Sequence, residues 1–332
     1  MRTSFQKLRQ DVIGYSLLLL FLYCFFVIDP KELSFALPGD WMNVNSIFLS
    51  IVLEAIPFIL LGVFVSSFIQ IFVSERTIQR FIPKHPIAAL LPAALVSAIL
   101  PVCECAIIPV VRRLLKKGMP LHVGVVLLVG APILNPIVFA STYYAFGTQK
   151  MVVYGRMGLA FVLCITIGFL VYLFFRNRNQ LREEEASLHV HHSHGEGNRF
   201  KQMLFHASDE FFDMGKYLIM GAFVASLFQT FLDRNVLMDL GSNEHLSPLV
   251  MMAFAYVLSL CSEADAFVAA SFTNTFSTGS LLAFLVYGPM IDVKNTLMML
   301  SAFKAKFTAA FIVIVTVCVY AAVWLFQQWF IL

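Results

Sequence analysis

The chain has 332 residues, 59% of them hydrophobic and only 13% charged, with a formal net charge of +3 and a mean hydropathy of +0.81. Soluble globular domains carry about 25% charged residues, so this balance excludes an ordinary soluble protein and implies several membrane-spanning helices. The small net charge carries no nucleic-acid signature, because the basic residues fall in short connectors where they report orientation.

Arg2, Lys7 and Arg9 precede an apolar run over about 13–28, which reads as an uncleaved first transmembrane helix with its basic end inside. A connector poor in basic residues leads to a long apolar segment, about Ser46 to Val73, which contains Glu54 and returns the chain inward to Arg76, Arg80, Lys84 and His85. The apolar stretch from Pro86 to about Val111 is flanked by basic clusters on both sides, the second being Arg112, Arg113, Lys116 and Lys117. That charge pattern predicts a re-entrant hairpin, which membranes accept only where protein or water surrounds it. Two spans follow, Leu121 to about Phe146 and Val152 to Phe175. A hydrophilic linker over 176–200 contains His189, His191, His192 and His194. After it come an amphipathic stretch from Phe200 to Met214, a span from Lys216 to Leu232, a broken element from Pro248 to Phe276, and spans at Leu281 to Met299 and Phe303 to Trp329.

The sequence aligns with itself. LLGVFVSSFIQIF, starting at Leu60, matches IMGAFVASLFQTF, starting at Ile219, at Gly62/Gly221, Ser67/Ser226 and Gln70/Gln229, and the same offset pairs Glu54 with Asp213. Nearby offsets pair Cys103 with Cys261 and Pro132-Ile-Leu-Asn135 with Pro289-Met-Ile-Asp292. Counting crossings with one re-entrant hairpin per copy makes the two copies inverted, an arrangement that brings two broken elements together near the membrane middle.

Those elements hold the least expected residues. Cys103, Glu104 and Cys105 sit between Pro101 and Pro109, and Cys261, Ser262, Glu263 and Asp265 form the second interruption. Proline removes a backbone donor and disrupts a continuous helix. On an intact helix Cys103 and Cys105 would diverge by about 200 degrees, so joint coordination requires unwound backbone. With Cys261 they would form a soft-ligand set for a metalloid or transition-metal ion; the competing reading is small packing residues, which suits Cys24, Cys164 and Cys318. Glu54, Glu104, Glu263 and Asp265 would each cost roughly 2.5 to 3.5 kcal/mol if stranded at the bilayer centre, which makes them candidates for coupling a proton or cation to solute movement. Glu54 reads equally well as an interfacial group. Asn135 and Asp292 could accept hydrogen bonds from a solute or from freed hairpin amides, and the linker histidines could collect a metal ion.

At PVCECAIIPVVRRLLKKGMP, GAPILNPIV, LCSEADAF and YGPMIDVKN the chain resembles the YraQ/ArsP-like family of predicted permeases, some of which export trivalent organoarsenicals. The resemblance spans most of the chain outside the N-terminal helix and the His-rich linker. It implies a permease in which Cys103, Cys105 and Cys261 stand where membrane thiols would meet a soft metalloid.

The expectation is an all-α polytopic protein of the bacterial inner membrane, built from inverted repeats with two broken, re-entrant helical hairpins. Its parts are an N-terminal helix and outer connector (1–45), a first repeat (46–175), a cytoplasmic linker (176–200) and a second repeat (201–332). The expected function is a secondary transporter, not an enzyme and without a cofactor, moving a small solute or a metal or metalloid ion. Alternatives are a zinc or transition-metal permease, a membrane redox protein, or a scaffold for a membrane partner subunit. The sequence has no Walker A pattern, so an ion gradient is the simpler energy source.

Overall fold

The computed structural model describes residues 39–72, 83, 85–100, 102–176, 180–182, 199–231 and 246–330. The expected N-terminal helix and the four linker histidines lie outside these residues. Twelve helices occur among the described residues. Three are long: α1 (Gly39–Phe72), α6 (Lys150–Phe175) and α7 (Arg199–Phe231). The fourth, α12 (Ala305–Phe330), closes the bundle. The shorter helices are α2 (Leu90–Ile99), α3 (Glu104–Lys116), α4 (Leu121–Leu134), α5 (Pro136–Phe146), α8 (Ser247–Leu258), α9 (Asp265–Ala270), α10 (Thr278–Met290) and α11 (Val293–Ala302). Among the described residues six stretches are long and apolar enough to cross a membrane, so the protein is a polytopic helical membrane protein.

Two spans that the sequence reads as continuous are broken. Asn135 precedes a proline and adopts extended backbone (φ −69, ψ 153), ending α4; its side chain then accepts from Val138 N and starts α5. In the second half Ile291 and Asp292 are extended, and the Asp292 carboxylate caps Asn295 N to start α11. Conversely, the amphipathic stretch after the linker and the span beyond it fuse into the single helix α7.

At 10 residues α2 is about 15 Å long and cannot cross a hydrocarbon core of about 30 Å. It runs parallel to α4: Leu90 packs near His122 of α4 and Gly168 of α6, and Ser97 packs on Gly130. α3 returns beside α4, placing Val111 and Leu115 against Gly124. The hairpin therefore enters and leaves at one end. The second hairpin repeats this arrangement, with Ser247 of α8 bonded to Ser280 of α10 at 2.7 Å and Ala255 against Gly288.

The long helices pack in antiparallel pairs. Along α1 and α7, Trp41 meets Phe231, Phe48 meets Phe223 and Ser66 bonds Glu210. Along α6 and α12, Phe175 meets Phe307 with ring centroids 5.2 Å apart, while Gly155 faces Phe326. Between these pairs α4 and α10 pack together, buried over most of their lengths.

Candidate functional site

Both hairpin tips are built the same way. Cys103 is the extended residue that begins α3 (φ −74, ψ 169), and its carbonyl accepts from Ala106 N and Ile107 N. The Cys261 carbonyl accepts from Ala264 N and Asp265 N in the same pattern. Ser259 turns the chain out of α8 in the left-handed region (φ 47), a conformation that costs a non-glycine residue about 1–3 kcal/mol and is often kept at functional positions. Because Cys103 lies outside the helix that contains Cys105, their side chains are not held to helical divergence.

The tips, with α1, α7 and α11, line an open cavity of about 160 Å³ that includes Cys103, Glu104, Cys105, Cys261, Lys294 and Glu54. Glu54 is exposed, whereas Glu104 is 3% exposed and Lys294 4%. Lys294 Nζ lies 3.3 Å from Glu104 Oε1 and 3.9 Å from Asp292 Oδ2. The helix N-termini of α3 and α11 converge here. Glu104 suits the positive end of α3, while Lys294 in the first turn of α11 opposes its dipole and is offset by the two carboxylates. Glu104 Oε2 has no hydrogen-bond partner. A buried pair satisfied on one side only offsets little of its own desolvation.

Two glycines at matching repeat positions set the approach of the long helices. A Cβ at Gly62 would lie 2.6 Å from the Ala106 carbonyl oxygen, and one at Gly221 would lie 2.9 Å from Lys294 Cα. Thus α1 rests on the start of α3 and α7 on the start of α11, fixing the floor of the cavity.

A second ion pair is fully enclosed. Arg156 of α6, 0% exposed, donates to Asp265 Oδ2 at 2.7 Å, to the Ser262 carbonyl at 3.2 Å and to Thr142 Oγ1 at 2.7 Å.

Among the sequence-predicted residues, the structure gathers Cys103, Cys105, Cys261, Glu54 and Glu104 around one cavity. Glu263 is half-buried on the second tip, and Asp265 belongs to the Arg156 network instead. Asn135 and Asp292 cap their own helices, with Asp292 also facing Lys294. The five described cysteines are free thiols. Among the described residues no three His, Cys, Asp or Glu side chains are grouped to hold a metal ion.

Residues 40–328 match a protein family described as ArsP_1, "Predicted permease". The chain belongs to this permease family. It is 50% identical over 286 residues to "UPF0718 protein YcgR" of Bacillus subtilis (strain 168), an alignment covering 85% of this chain and 96% of that protein. It is 40% identical over 278 residues to a Streptococcus mutans protein named "Putative two-component membrane permease complex subunit", covering 83% and 92% respectively. No solved structure matches.

Two buried cations were not singled out from the sequence. Arg156 stands inside an otherwise apolar 26-residue helix, and Lys294 lies within YGPMIDVKN. The signal for both was the cost of an intramembrane cation, which makes such a residue functional by default.

Proposed function

We propose that this permease is a secondary transporter of the bacterial inner membrane that moves a soft small solute, such as an organoarsenical or metal species, by alternating access. The observation that carries the reading is the single cavity lined by Cys103, Cys105 and Cys261, one thiol-bearing tip coming from each half of the chain. Thiolates are the protein ligands that favour soft ions and metalloids. Glu104 and Lys294 between the tips supply a charge that changes partner as solute enters, while Glu54, Glu263 and Asp265 remain candidates for carrying the coupling ion. The antiparallel packing of α1 on α7 and of α6 on α12, whose members match in the repeat, supports an inverted-repeat mechanism in which the halves rock around the midplane.

A zinc or transition-metal permease is the second reading. The carboxylates of Glu54 and Glu104 line the same cavity as the thiols and offer it oxygen donors beside sulfur, although among the described residues the side chains are not grouped as a metal site in this state. The linker histidines would then collect the ion. The name of the Streptococcus mutans relative supports a membrane partner subunit for this chain as well.

The deciding experiment is accumulation in vesicles bearing the wild type or a Cys103→Ser, Cys105→Ser, Cys261→Ser triple variant, with an organoarsenite and with zinc. Transport of one solute that the triple variant loses identifies the class. Wild-type transport of neither returns the thiols to packing.

A further inference from the structure

The cavity touches α1 between Ile47 and Phe58 and α7 at Gln229, so it occupies the half of this antiparallel pair that holds the start of α1 and the end of α7 and reaches the middle of α1. The other end is closed by a polar cluster that joins three helices. Glu210 of α7, 8% exposed, accepts from Ser66 Oγ of α1 at 2.8 Å and from Arg113 Nη2 of α3 at 3.4 Å. Arg112 Nη1 lies 3.7 Å from Asp213 Oδ2 of α7, and Lys117 Nζ donates to the Gln70 carbonyl of α1 at 2.7 Å.

We infer that Ser66, Arg113 and Glu210 form the closed gate of the solute cavity, and that the opposite-facing state opens it. The inference rests on the alternating-access reading above. Partly buried ion pairs are rarely worth more than an apolar seal of the same shape, but unlike that seal they can separate into water. A contact that must break in each cycle gains from this property.

The packing identifies the other state. Here α1 lies along α3, and α7 lies along α11. Exchanging each helix for its repeat mate turns these contacts into α7 along α9 and α1 along α5, and neither packing is present among the described residues. Phe228 on α7 and Phe267 on α9 are exposed apolar groups on two helices that this exchange would bring together.

The test uses the full chain in vesicles of defined orientation, with a membrane-impermeant maleimide applied from either side and modification of Cys103, Cys105 and Cys261 mapped by mass spectrometry. In the wild type these thiols react from the Glu54 side. Glu210→Gln is expected to raise their reaction from the Arg113 side by about tenfold, a typical size for a coupling between two states. Ser66→Ala, which deletes one hydrogen bond and no charge, should raise it less. The exchanged pair Arg113→Glu with Glu210→Arg should bring it back toward the wild-type rate, a rescue that a general loss of structure would not give. Spin labels carried by non-natural amino acids at positions 228 and 267 should move closer in the Glu210→Gln background.

Unchanged labelling from the Arg113 side in both single variants overturns the gate, and an unchanged label distance overturns the exchange of packing. The labelling needs no solute, so a permease that moves neither organoarsenite nor zinc loses the proposed substrate class while the gate result stands. Intact transport with unchanged labelling removes only the gate.

Discussion

Lys294 and Glu104, 190 residues apart in sequence, meet at 3.3 Å with side chains 5% and 3% exposed, and each stands at the start of a short helix in a different half of the chain. Removing one partner leaves the other charge buried. Glu104→Leu or Lys294→Met alone should therefore lower unfolding stability by about 3–5 kcal/mol, while the double variant should recover only part of that loss, because Asp292 stays buried without its cation. Transport should be absent in all three. Denaturant unfolding in detergent beside vesicle uptake separates the effects, and a double variant that transports at the wild-type rate would remove the pair from the mechanism.

Glycine substitutions test the helix contacts independently of charge. Gly62→Ala and Gly221→Ala push a methyl group into the backbone of α3 and α11, and should cost about 1–3 kcal/mol by overpacking together with a loss of transport. Gly158 and Gly215 are also helical but have nothing within 4 Å of an added Cβ. Replacing either with alanine should leave transport intact and stabilise by about 0.5–1 kcal/mol. Thermal unfolding of the four variants checks the ranking.

Much of this was legible in the sequence, because membrane sequences state their costs openly. The prolines beside Cys103 and the basic residues on both sides of Pro86 to Val111 were enough to place the first re-entrant hairpin, since a broken helix and a same-side return leave local marks. Gly62 and Gly221 stood at matching positions of the sequence's self-alignment before their contacts with α3 and α11 were visible. The breaks at Asn135 and Asp292 were harder. Both residues were singled out as polar groups, but neither composition nor length distinguishes one helix from two when a side-chain cap restores the lost amide bond. Ion-pair partners were the least legible, because Arg156 finds Asp265 at a separation of 109 residues and only tertiary packing decides that distance. Arg112 and Arg113 read as markers of the membrane surface, yet they are drawn into contacts with α7.

The Arg156 network predicts that arginine cannot be exchanged for lysine there. One planar guanidinium serves the Asp265 carboxylate, the Ser262 carbonyl and the Thr142 hydroxyl, whereas an ammonium is a compact point charge on a flexible stem. Arg156→Lys should lower stability measurably, and Arg156→Met more severely, by about 3–5 kcal/mol, because Asp265 is then buried alone. Adding Asp265→Asn to Arg156→Met should restore part of the loss. Unfolding of this set in detergent measures the coupling directly.

The cysteines divide by environment, and their variants should divide with them. Cys103, Cys105 and Cys261 line the cavity, whereas Cys164 is packed within the bundle, where a Cβ at Gly130 would lie 3.2 Å from its sulfur. Cys164→Ala should cost about 1 kcal/mol through the space it leaves and should keep transport. Cys318→Ala, at a half-buried position, should change neither by much. Serine at any of the three cavity positions preserves volume while replacing a soft donor with a hard one, so it should reduce transport of a soft solute with little change in stability. Solute protection adds a second readout: a trivalent organoarsenical bound between the tips should slow alkylation of the cavity thiols but not of Cys318. Equal protection of all these thiols would mean that the reagent is consumed in solution or that the whole bundle tightens, and the assignment of the solute to the hairpin tips would fail.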